Sequence, residues 1–319
     1  MTEMQLSQEW HGVPPPPGVT IPSATTIKTI GAEAVCVEAP ERRYPMSIAY
    51  PTGEEPTLWI KYGCAVSWEE VVHQFRAHQE LRKIDSPVRV PAIYYAFQDK
   101  VTKETYIVME YIRGDTVNSL ILKSHKSPEQ SREIQEALSR RVAFALEEFL
   151  RIPIPSGSPP ASVSGGLIRH PLFQQCEAPR AYDNAEQLEQ HFNLFIELPG
   201  LRKIRRNLPL VRGLSQEPMV FCYSDLNGGN FIINDKNEVI VVDFSELSIL
   251  PVSFAKYLLL VPGSDNLGPN VRPWVHFPDT GGEFDNASVL MELQGPMIQS
   301  CSFERIAHRV PGGGYVDEE

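Results

Sequence analysis

Residues 221–246, FCYSDLNGGNFIINDKNEVIVVDFSE, constrain the fold of this chain more than any other stretch. Two apolar runs, 231–234 and 239–242, flank a polar segment at 235–238 in which Asn237 can adopt a positive φ. This pattern predicts a β-hairpin. Facing residues of an antiparallel pair keep a constant sum of their numbers, so a turn at 235–238 places Asn230 opposite Asp243.

The predicted hairpin brings oxygen donors together. Facing Cβ atoms lie about 4.5–5.5 Å apart, so the Asn230 amide and the Asp243 carboxylate could share one Mg²⁺ ion, which prefers oxygen ligands. Asp225 lies on a loop whose two glycines permit tight folding, and a carboxylate there could deprotonate a substrate hydroxyl beside a metal-bound phosphate. Each residue taken alone is more typical of a turn or a cap; their joint spacing favours a site.

Composition limits the classes of protein that fit. The chain has 319 residues and 42% hydrophobic content, enough for one large domain or two packed lobes. The net charge of −11 disfavours a broad nucleic-acid-binding surface. The densest basic run, LRKIRRN at 201–207, is more typical of a solvated helix end than of a binding site.

Cysteine usage and hydropathy indicate the compartment. Five scattered cysteines without a C-x-x-C pair favour a reducing environment: Cys36, Cys64, Cys176, Cys222 and Cys301. The N-terminus lacks the pattern of a secretory signal, and no apolar run approaches the roughly 18–20 residues that span a bilayer. We therefore expect a soluble cytoplasmic protein without nucleic-acid or membrane partners.

The N-terminal part of the chain is predicted to form a sheet that carries one helix. VPPPPGV at 13–19 indicates an extended lead-in. The short pieces TTIKTI, AVCVE, MSIAY and TLWIKYG between residues 25 and 63 suit antiparallel strands. Ser67 caps a predicted helix, SWEEVVHQFRAHQELRKI, and the strand-like runs RVPAIYYAFQD and ETYIVMEYIRG follow.

The C-terminal part is predicted to be mainly helical. Ser127, Pro128 and Gln130 form a capping box before a helix that ends near residue 150. Asp183 and Glu186 suggest a second box for a helix at 183–198. The element order predicts an α+β protein with an extended segment 1–24, an N-terminal lobe 25–113 and a helical lobe 114–319.

The motifs carry a family resemblance. SDLNGGN followed by VVDFSE resembles the catalytic loop and metal-binding segment of the aminoglycoside phosphotransferase and choline kinase families, over residues from about 25 to about 262. LPVSFAKYLLL at 250–260 resembles a fungal phosphotransferase-like group. The resemblance implies a bilobal protein-kinase-like fold with a small antiparallel-sheet N-lobe, and ATP and Mg²⁺ as cofactors. It makes Asp225 the catalytic base and Asn230 and Asp243 the metal ligands.

Upstream segments match the same family in order. LWIKYG resembles the third strand of the N-lobe, which makes Lys61 the lysine for the α- and β-phosphates; it could otherwise be an ordinary edge lysine. Glu70 is our choice for its partner, with Glu69 and Glu80 as alternatives. YIVMEYIRG resembles the hinge, and it implies backbone contacts with adenine from three residues. These are Met109, Glu110 and Tyr111.

The chain also departs from the family pattern. The family has His two residues before the catalytic Asp, whereas this chain has Tyr223-Ser224-Asp225, so we expect weaker support for the loop. No Gly-rich phosphate loop is visible, since TIGAEAVCVEAPERR contains only Gly31. Two functions follow: phosphorylation of a small-molecule hydroxyl, or a catalytically inactive or repurposed module that binds a nucleotide or a partner.

The acceptor site is expected beside Asp225, lined by the segment after Asp243 and by helices at 183–198 and 251–260. Family members that bind amino-sugars or choline have acidic pocket walls, which implies a cationic or polyhydroxylated acceptor. The candidate acids for this wall, each of which could instead be solvated, are Glu246, Asp265, Glu283 and Asp285.

Overall fold

A computed structural model describes residues 6–38, 46–53, 55–124, 127–263, 266–279 and 285–312, without the side chains of 34–38. Its N-terminal part contains a five-stranded antiparallel sheet in the order β1-β4-β5-β3-β2. The strands are β1 (Leu6–His11), β2 (Met46–Tyr50), β3 (Leu58–Gly63), β4 (Ile93–Asp99) and β5 (Thr105–Glu110). The predicted α+β class with an N-terminal antiparallel sheet is confirmed.

Two helices accompany this sheet, α1 (Ala24–Glu38) and α2 (Trp68–Lys83). The predicted start of α2 is confirmed, because the Ser67 side chain accepts a hydrogen bond from the Glu70 amide. Val71 of α2 packs in the core cluster of strands β4 and β5, whereas Ala77 and Leu81 pack in the core of the C-terminal part. Helix α2 therefore contacts both halves of the molecule.

The prediction of strands at TTIKTI and AVCVE is wrong, because both segments lie in helix α1. Ile27 is buried in the core cluster of the sheet, and the Tyr62 hydroxyl donates to the Gly31 carbonyl at 3.1 Å. These contacts with the sheet outweigh the β propensity of the threonine- and isoleucine-rich segment, since tertiary packing routinely overrides propensity.

The described residues of the segment 1–24 contain a strand that the sequence did not predict. Residues Leu6–His11 form the edge strand β1, which pairs with β4. The Tyr95 hydroxyl donates to Glu9 at 2.7 Å, and the Trp10 ring packs edge-on against Phe75 at 4.7 Å. Part of the segment expected to be extended thus supplies a strand to the sheet, and residues 12–23, which follow it, form neither helix nor strand.

The C-terminal part is mainly helical, as predicted, with two small sheets in the orders β10-β9-β6 and β7-β11-β8. Its strands are β6 (Asp115–Thr116), β7 (Ala161–Ser162), β8 (Met219–Tyr223), β9 (Phe231–Ile233), β10 (Val239–Val241) and β11 (Leu247–Pro251). Its helices are α3 (Val117–Lys123), α4 (Pro128–Leu150), α5 (Ala185–Ile196), α6 (Pro199–Ile204), α7 (Val252–Leu258), α8 (Gly268–Val271), α9 (Asn286–Ser300) and α10 (Ser302–Ile306).

Helix starts follow the sequence closely. The capping box of α4 is present, with Ser127 and Gln130 exchanging hydrogen bonds as predicted. Helix α5 begins one residue later than expected, because the Asn184 side chain, rather than Asp183, accepts from the Gln187 amide. Either short polar side chain is a good N-cap, so sequence alone does not distinguish the two adjacent positions.

Within the described ranges, no helix is both long and apolar enough to cross a membrane. The four cysteines whose side chains are described, namely Cys64, Cys176, Cys222 and Cys301, are free thiols.

Buried His191 provides a test of the C-terminal core. Its ring accepts a hydrogen bond from the Tyr182 hydroxyl at 2.7 Å and donates one to the Phe303 carbonyl at 2.9 Å. Burial lowers the pKa of His191 to about 4. Since an unfolded histidine titrates near 6.5, His191 stabilises the fold above that pH, and this contribution is lost as the pH falls towards 4. Between pH 7 and pH 5 the loss is about 2 kcal/mol.

We therefore expect His191→Gln to cost less stability at pH 5 than at pH 7, by about 2 kcal/mol. Urea denaturation of both proteins at the two pH values measures this difference. His308→Gln, a change of the same kind at an exposed position, is measured in parallel as the control. An equal cost of His191→Gln at both pH values would contradict the prediction.

Candidate active site

The hairpin of β9 and β10 pairs antiparallel, but one residue out of the predicted register. Ile233 faces Val239 and Phe231 faces Val241. The loop has three residues rather than four, since the Asn237 amide donates to the Asn234 carbonyl at 2.8 Å and Asn237 adopts a φ of 66°. The prediction that Asn230 faces Asp243 is therefore wrong.

The backbone at Asp243 compensates for this shift. A one-residue slip would turn the following side chain to the other face of the strand pair. Instead, the Val242 amide donates to the Asn230 carbonyl at 2.9 Å, and Asp243 leaves the strand with a left-handed φ of 62°. Asn230 and Asp243 consequently line one cavity of about 450 Å³. A left-handed residue other than glycine costs roughly 1–2 kcal/mol and persists only where its surroundings hold it.

Lys61 lies between two carboxylates on the wall of this cavity. Its Nζ is 2.6 Å from Glu70 Oε1 and 3.1 Å from Asp243 Oδ1. Burial alone lowers the pKa of Lys61, but the two carboxylates outweigh it and raise that pKa. Burial raises the pKa of Glu70 to about 7, against the opposing effect of Lys61. Strand β3 and helix α2 thus hold the charged Lys61 against Glu70 on the wall of this cavity.

The alternative partners of Lys61 lie elsewhere. Glu69 accepts a hydrogen bond from the Ser164 hydroxyl at 3.2 Å. Glu80 forms an exposed ion pair with Lys83 at 2.7 Å. Of the three glutamates considered from the sequence, only Glu70 pairs with Lys61.

Asp225 and Asn230 contact each other through their loop. The Asn230 amide nitrogen donates to the Asp225 carbonyl at 3.4 Å, which leaves the amide oxygen available to a cation. The Asn227 amide donates to Asp225 Oδ1 at 3.2 Å. Burial raises the pKa of Asp225, and its hydrogen bond with Asn230 opposes that shift. The Asp225 carboxylate is thus held in place but remains partly exposed.

The donor set fits a magnesium ion that also binds phosphate. Among the described residues, no cluster of three or more His, Cys, Asp or Glu has the geometry of an all-protein metal site. Mg²⁺ typically takes one or two carboxylates and completes its shell with water and substrate phosphates. The Asp243 carboxylate, 30% exposed, and the Asn230 amide oxygen on one cavity wall match that requirement.

The hinge segment also lines the cavity, but two of its amides are already bonded. Met109, Glu110, Tyr111 and Ile112 are all on the cavity wall. The Glu110 amide donates to the Ala92 carbonyl at 2.9 Å, and the Tyr111 amide donates to the Thr57 carbonyl at 3.2 Å. These two amides are already bonded within the protein, so the expected backbone contacts with adenine would have to come from other groups of this segment. Ile112, which the sequence reasoning did not single out, extends the wall.

The described residues of TIGAEAVCVEAPERR, at 29–43, do not form a phosphate-binding loop. Gly31 lies within helix α1, and residues 39–45 lie outside the described part of the chain. Met46 and Ser47 at the start of β2 line the cavity.

A second cavity, of about 430 Å³, is lined by Asp225. Its other polar lining residues include Glu246 and Asn266, and Leu258 of α7 contributes an apolar wall. Burial raises the pKa of Glu246, and a hydrogen bond from the Cys176 thiol opposes that shift. Two acids, Asp225 and Glu246, therefore line one cavity, to which the segment after Asp243 and the helix at 251–260 both contribute.

Other parts of the acceptor prediction are not met. No residue of helix α5 lines this cavity. Asp285 caps helix α9, where its carboxylate accepts from the Ser288 amide at 3.3 Å. Asp265 and Glu283 lie outside the described residues.

The loop that carries Asp225 has support that the sequence did not predict. The Tyr223 hydroxyl donates to the Val242 carbonyl at 2.7 Å, and the Ser224 amide donates to the Glu246 carbonyl at 3.1 Å. Tyr223 thus supports the segment before Asp243, although the absence of the family's His had suggested weaker support for the loop. His73 was missed as well; it contacts the Phe244 carbonyl, and the only signal in the sequence is its position one helical turn after Glu70.

Comparison with known proteins gives one family match and several similar solved structures. The model of the "Phosphotransferase enzyme family" matches residues 67–269. No curated protein matches the chain. A solved structure of the gentamicin complex of APH(2")-IIa matches with 15% identity over 91% of each chain, with a TM-score of 0.49. ADP-bound aminoglycoside phosphotransferase APH(2'')-Ib has 15% identity over 93% of each chain and a TM-score of 0.44. Aminoglycoside phosphotransferase APH(4)-Ia has 12% identity over 91% of this chain and 100% of its own, with a TM-score of 0.46.

Proposed function

Because the chain belongs to the phosphotransferase enzyme family, we propose that it transfers the γ-phosphoryl group of ATP to a hydroxyl of a small molecule, with Mg²⁺ as cofactor. The family match also confirms the resemblance inferred from the sequence. One observation carries the proposal: Lys61, Glu70, Asn230 and Asp243 line one cavity, and Asp225, whose backbone carbonyl accepts a hydrogen bond from the Asn230 side chain, lines a second. Such an arrangement suits a nucleotide on one side and an acceptor on the other.

Lys61 and Glu70 are proposed to position the nucleotide. In related phosphotransferases, catalysis consists mainly of positioning and electrostatic stabilisation of the transferred group. The 2.6 Å ion pair with Glu70 fixes the Lys61 ammonium at the cavity wall, where it can bind the α- and β-phosphates. Met109, Glu110 and Tyr111 are proposed to line the base site, through side-chain and carbonyl contacts rather than through the two bonded amides.

Asn230 and Asp243 are proposed to hold the metal ion through one amide oxygen and one carboxylate. When bound, Mg²⁺ neutralises the charge of the β- and γ-phosphates. The ammonium of Lys61, now 3.1 Å from Asp243, would then remain close to the same phosphates. The protein supplies the ligands, and the nucleotide completes the shell.

Asp225 is proposed to act as the general base. It orients the acceptor hydroxyl and accepts its proton while the acceptor oxygen bonds to the γ-phosphorus and the bond to ADP breaks. The Asn227 amide at 3.2 Å holds one carboxylate oxygen, which directs the other towards the acceptor.

We propose that the acceptor is cationic or polyhydroxylated. The second cavity presents the carboxylates of Asp225 and Glu246, whose pKa values burial raises, and a cation between them would stabilise their charged forms. Asn266 adds a polar amide to the same wall.

Glu246→Gln is expected to raise the KM for such an acceptor about tenfold while leaving the KM for ATP within twofold. The estimate follows from losing one partly desolvated charge interaction of about 1.5 kcal/mol. Steady-state kinetics with each substrate varied in turn measure both constants. Asp285→Asn, at the α9 cap, is the matched control; an unchanged acceptor KM in Glu246→Gln would refute this assignment.

A second candidate is a kinase-like module that binds a nucleotide or a partner without catalysis. Helix α1 in place of the expected strands, and the lack of a Gly-rich loop in the described residues, favour it. A thermal-shift titration separates the two, because a ligand that binds only the native state raises the apparent stability. Stabilisation by Mg-ATP together with turnover supports the enzyme, stabilisation without turnover supports the binding module, and indifference to both ligands contradicts the proposed function.

We also propose that the two lobes meet at Gly114, with the N-terminal lobe at 25–113 extended by strand β1 and the helical lobe at 114–319. Gly114 has a φ of 153°, and a Cβ there would lie 2.5 Å from the Ile233 carbonyl oxygen, so only glycine fits.

The cytoplasm, which supplies ATP and Mg²⁺, is the proposed location.

A further inference from the structure

The residue before Asp243 is held by a buried tyrosine. The Tyr223 hydroxyl donates to the Val242 carbonyl at 2.7 Å, and the Asn230 side chain also hydrogen-bonds to that hydroxyl. The Tyr223 ring is 3% exposed and packs against the rings of Phe231 and Phe244. One hydroxyl thus contacts both segments that carry the proposed metal ligands.

The residue after Asp243 is held by a buried histidine. His73 Nδ1 is 2.9 Å from the Phe244 carbonyl oxygen, and His73 Nε2 is 2.6 Å from the Ser162 hydroxyl. Since a carbonyl only accepts, Nδ1 carries the hydrogen and the Ser162 hydroxyl donates to Nε2. The imidazole is completely buried, and burial lowers its pKa to about 4, so the ring is neutral near pH 7.

We propose that Tyr223 and His73 form a clamp, in which two buried donors bond the carbonyls on either side of Asp243 and hold that residue in its left-handed conformation. Both are positioning residues, and neither touches a reacting atom. This inference rests on the proposed function in so far as Asp243 is the metal ligand.

The clamp explains how an unfavourable backbone conformation is maintained at the cleft. Asp243 has a φ of 62°, and its carboxylate lines the cavity only because the chain turns there. If either donor is lost, a buried carbonyl is left without its partner, and the turn gains freedom to seek water or another donor.

The clamp also links the two halves of the molecule. His73 lies one helical turn after Glu70 on helix α2, so the helix that carries the partner of Lys61 is bonded directly to the Asp243 segment and to Ser162 of β7. The ion pair of Lys61 and the turn at Asp243 are therefore set by the same helix.

The test compares Tyr223→Phe with Tyr182→Phe. Both substitutions remove one buried hydroxyl that makes a 2.7 Å hydrogen bond, but Tyr182 bonds His191 far from the cleft. Mn²⁺ serves as the metal probe, and its dissociation constant is measured by electron paramagnetic resonance with saturating ADP. We expect Tyr223→Phe to raise this constant about 10–100-fold, as is typical for residues that orient metal ligands. Tyr182→Phe should leave it within about twofold.

His73→Gln and His191→Gln form a second matched pair, since each histidine bonds one carbonyl and one hydroxyl. Hydrogen–deuterium exchange of the metal-free proteins is measured on a peptide that spans residues 242–246. We expect faster exchange there in Tyr223→Phe and His73→Gln, and wild-type exchange in both controls.

Wild-type Mn²⁺ affinity and wild-type exchange in Tyr223→Phe and His73→Gln would overturn the clamp. If the wild-type protein binds neither ADP nor Mn²⁺, the proposed function fails; exchange over 242–246 then decides the clamp by itself.

Discussion

Replacing Asp243 by Asn is expected to abolish detectable phosphoryl transfer while the protein stays folded. Asn tolerates the left-handed conformation that this position requires, so the backbone turn is preserved. The substitution removes the carboxylate proposed to bind Mg²⁺. Changes behind a metal ligand already cost 10–100-fold in metal affinity, so loss of the ligand's charge should weaken Mg²⁺ by on the order of 100-fold or more.

Three measurements check this prediction: turnover with ATP, the Mg²⁺ concentration for half-maximal activity, and the circular dichroism spectrum. Asp235→Asn, in the exposed loop of the same hairpin, is the matched control and should behave as wild type. Normal turnover of Asp243→Asn at ordinary Mg²⁺ concentrations would remove Asp243 from the metal site.

Asp225→Asn is expected to lower kcat by about 10²–10⁴-fold, the contribution typical of a positioned general base. The amide preserves the size of the side chain and an oxygen that can accept from the Asn227 amide, but it cannot take the acceptor proton. The nucleotide is proposed to bind in the other cavity, which Asp225 does not line, so the dissociation constant for Mg-ATP should stay within about threefold.

Single-turnover kinetics and calorimetric titration with Mg-ADP separate the chemical step from binding. The loss should appear in the chemical step alone. A variant that loses nucleotide binding as strongly as turnover would show that Asp225 holds the nucleotide or the loop, and would contradict its role as base.

Local signals in the sequence predicted much of the site. The hairpin at 231–241, the Ser67 cap of helix α2 and the Ser127 box of α4 depend on neighbouring residues, and all three are present. The acid that pairs with Lys61 could be narrowed to a few candidates because α2 was located. The direction in which each side chain points from the helix then decides which glutamate faces strand β3, and that residue is Glu70.

The sequence-based predictions failed where the structure depends on a one-residue difference in loop length or on contacts between residues far apart in the chain. The hairpin register depended on whether the loop has three or four residues, and the positive φ of Asn237 is compatible with both. Helix α1 was predicted as strands because its burial against Tyr62 is not visible locally. The contacts of Tyr223 with Val242 and of His73 with Phe244 join residues 19 and 171 positions apart, beyond the reach of any sequence pattern.

The most direct test of the central claim is a transfer assay with γ-labelled ATP, Mg²⁺ and purified protein against a panel of hydroxylated metabolites that includes amino-sugars, amino alcohols and anionic alcohols. The account predicts label transfer to at least one cationic or polyhydroxylated acceptor, dependence on Mg²⁺, and loss of transfer in Asp225→Asn. Label transfer that persists in Asp225→Asn, or a panel without any labelled product from a protein that Mg-ATP does not stabilise, would contradict it.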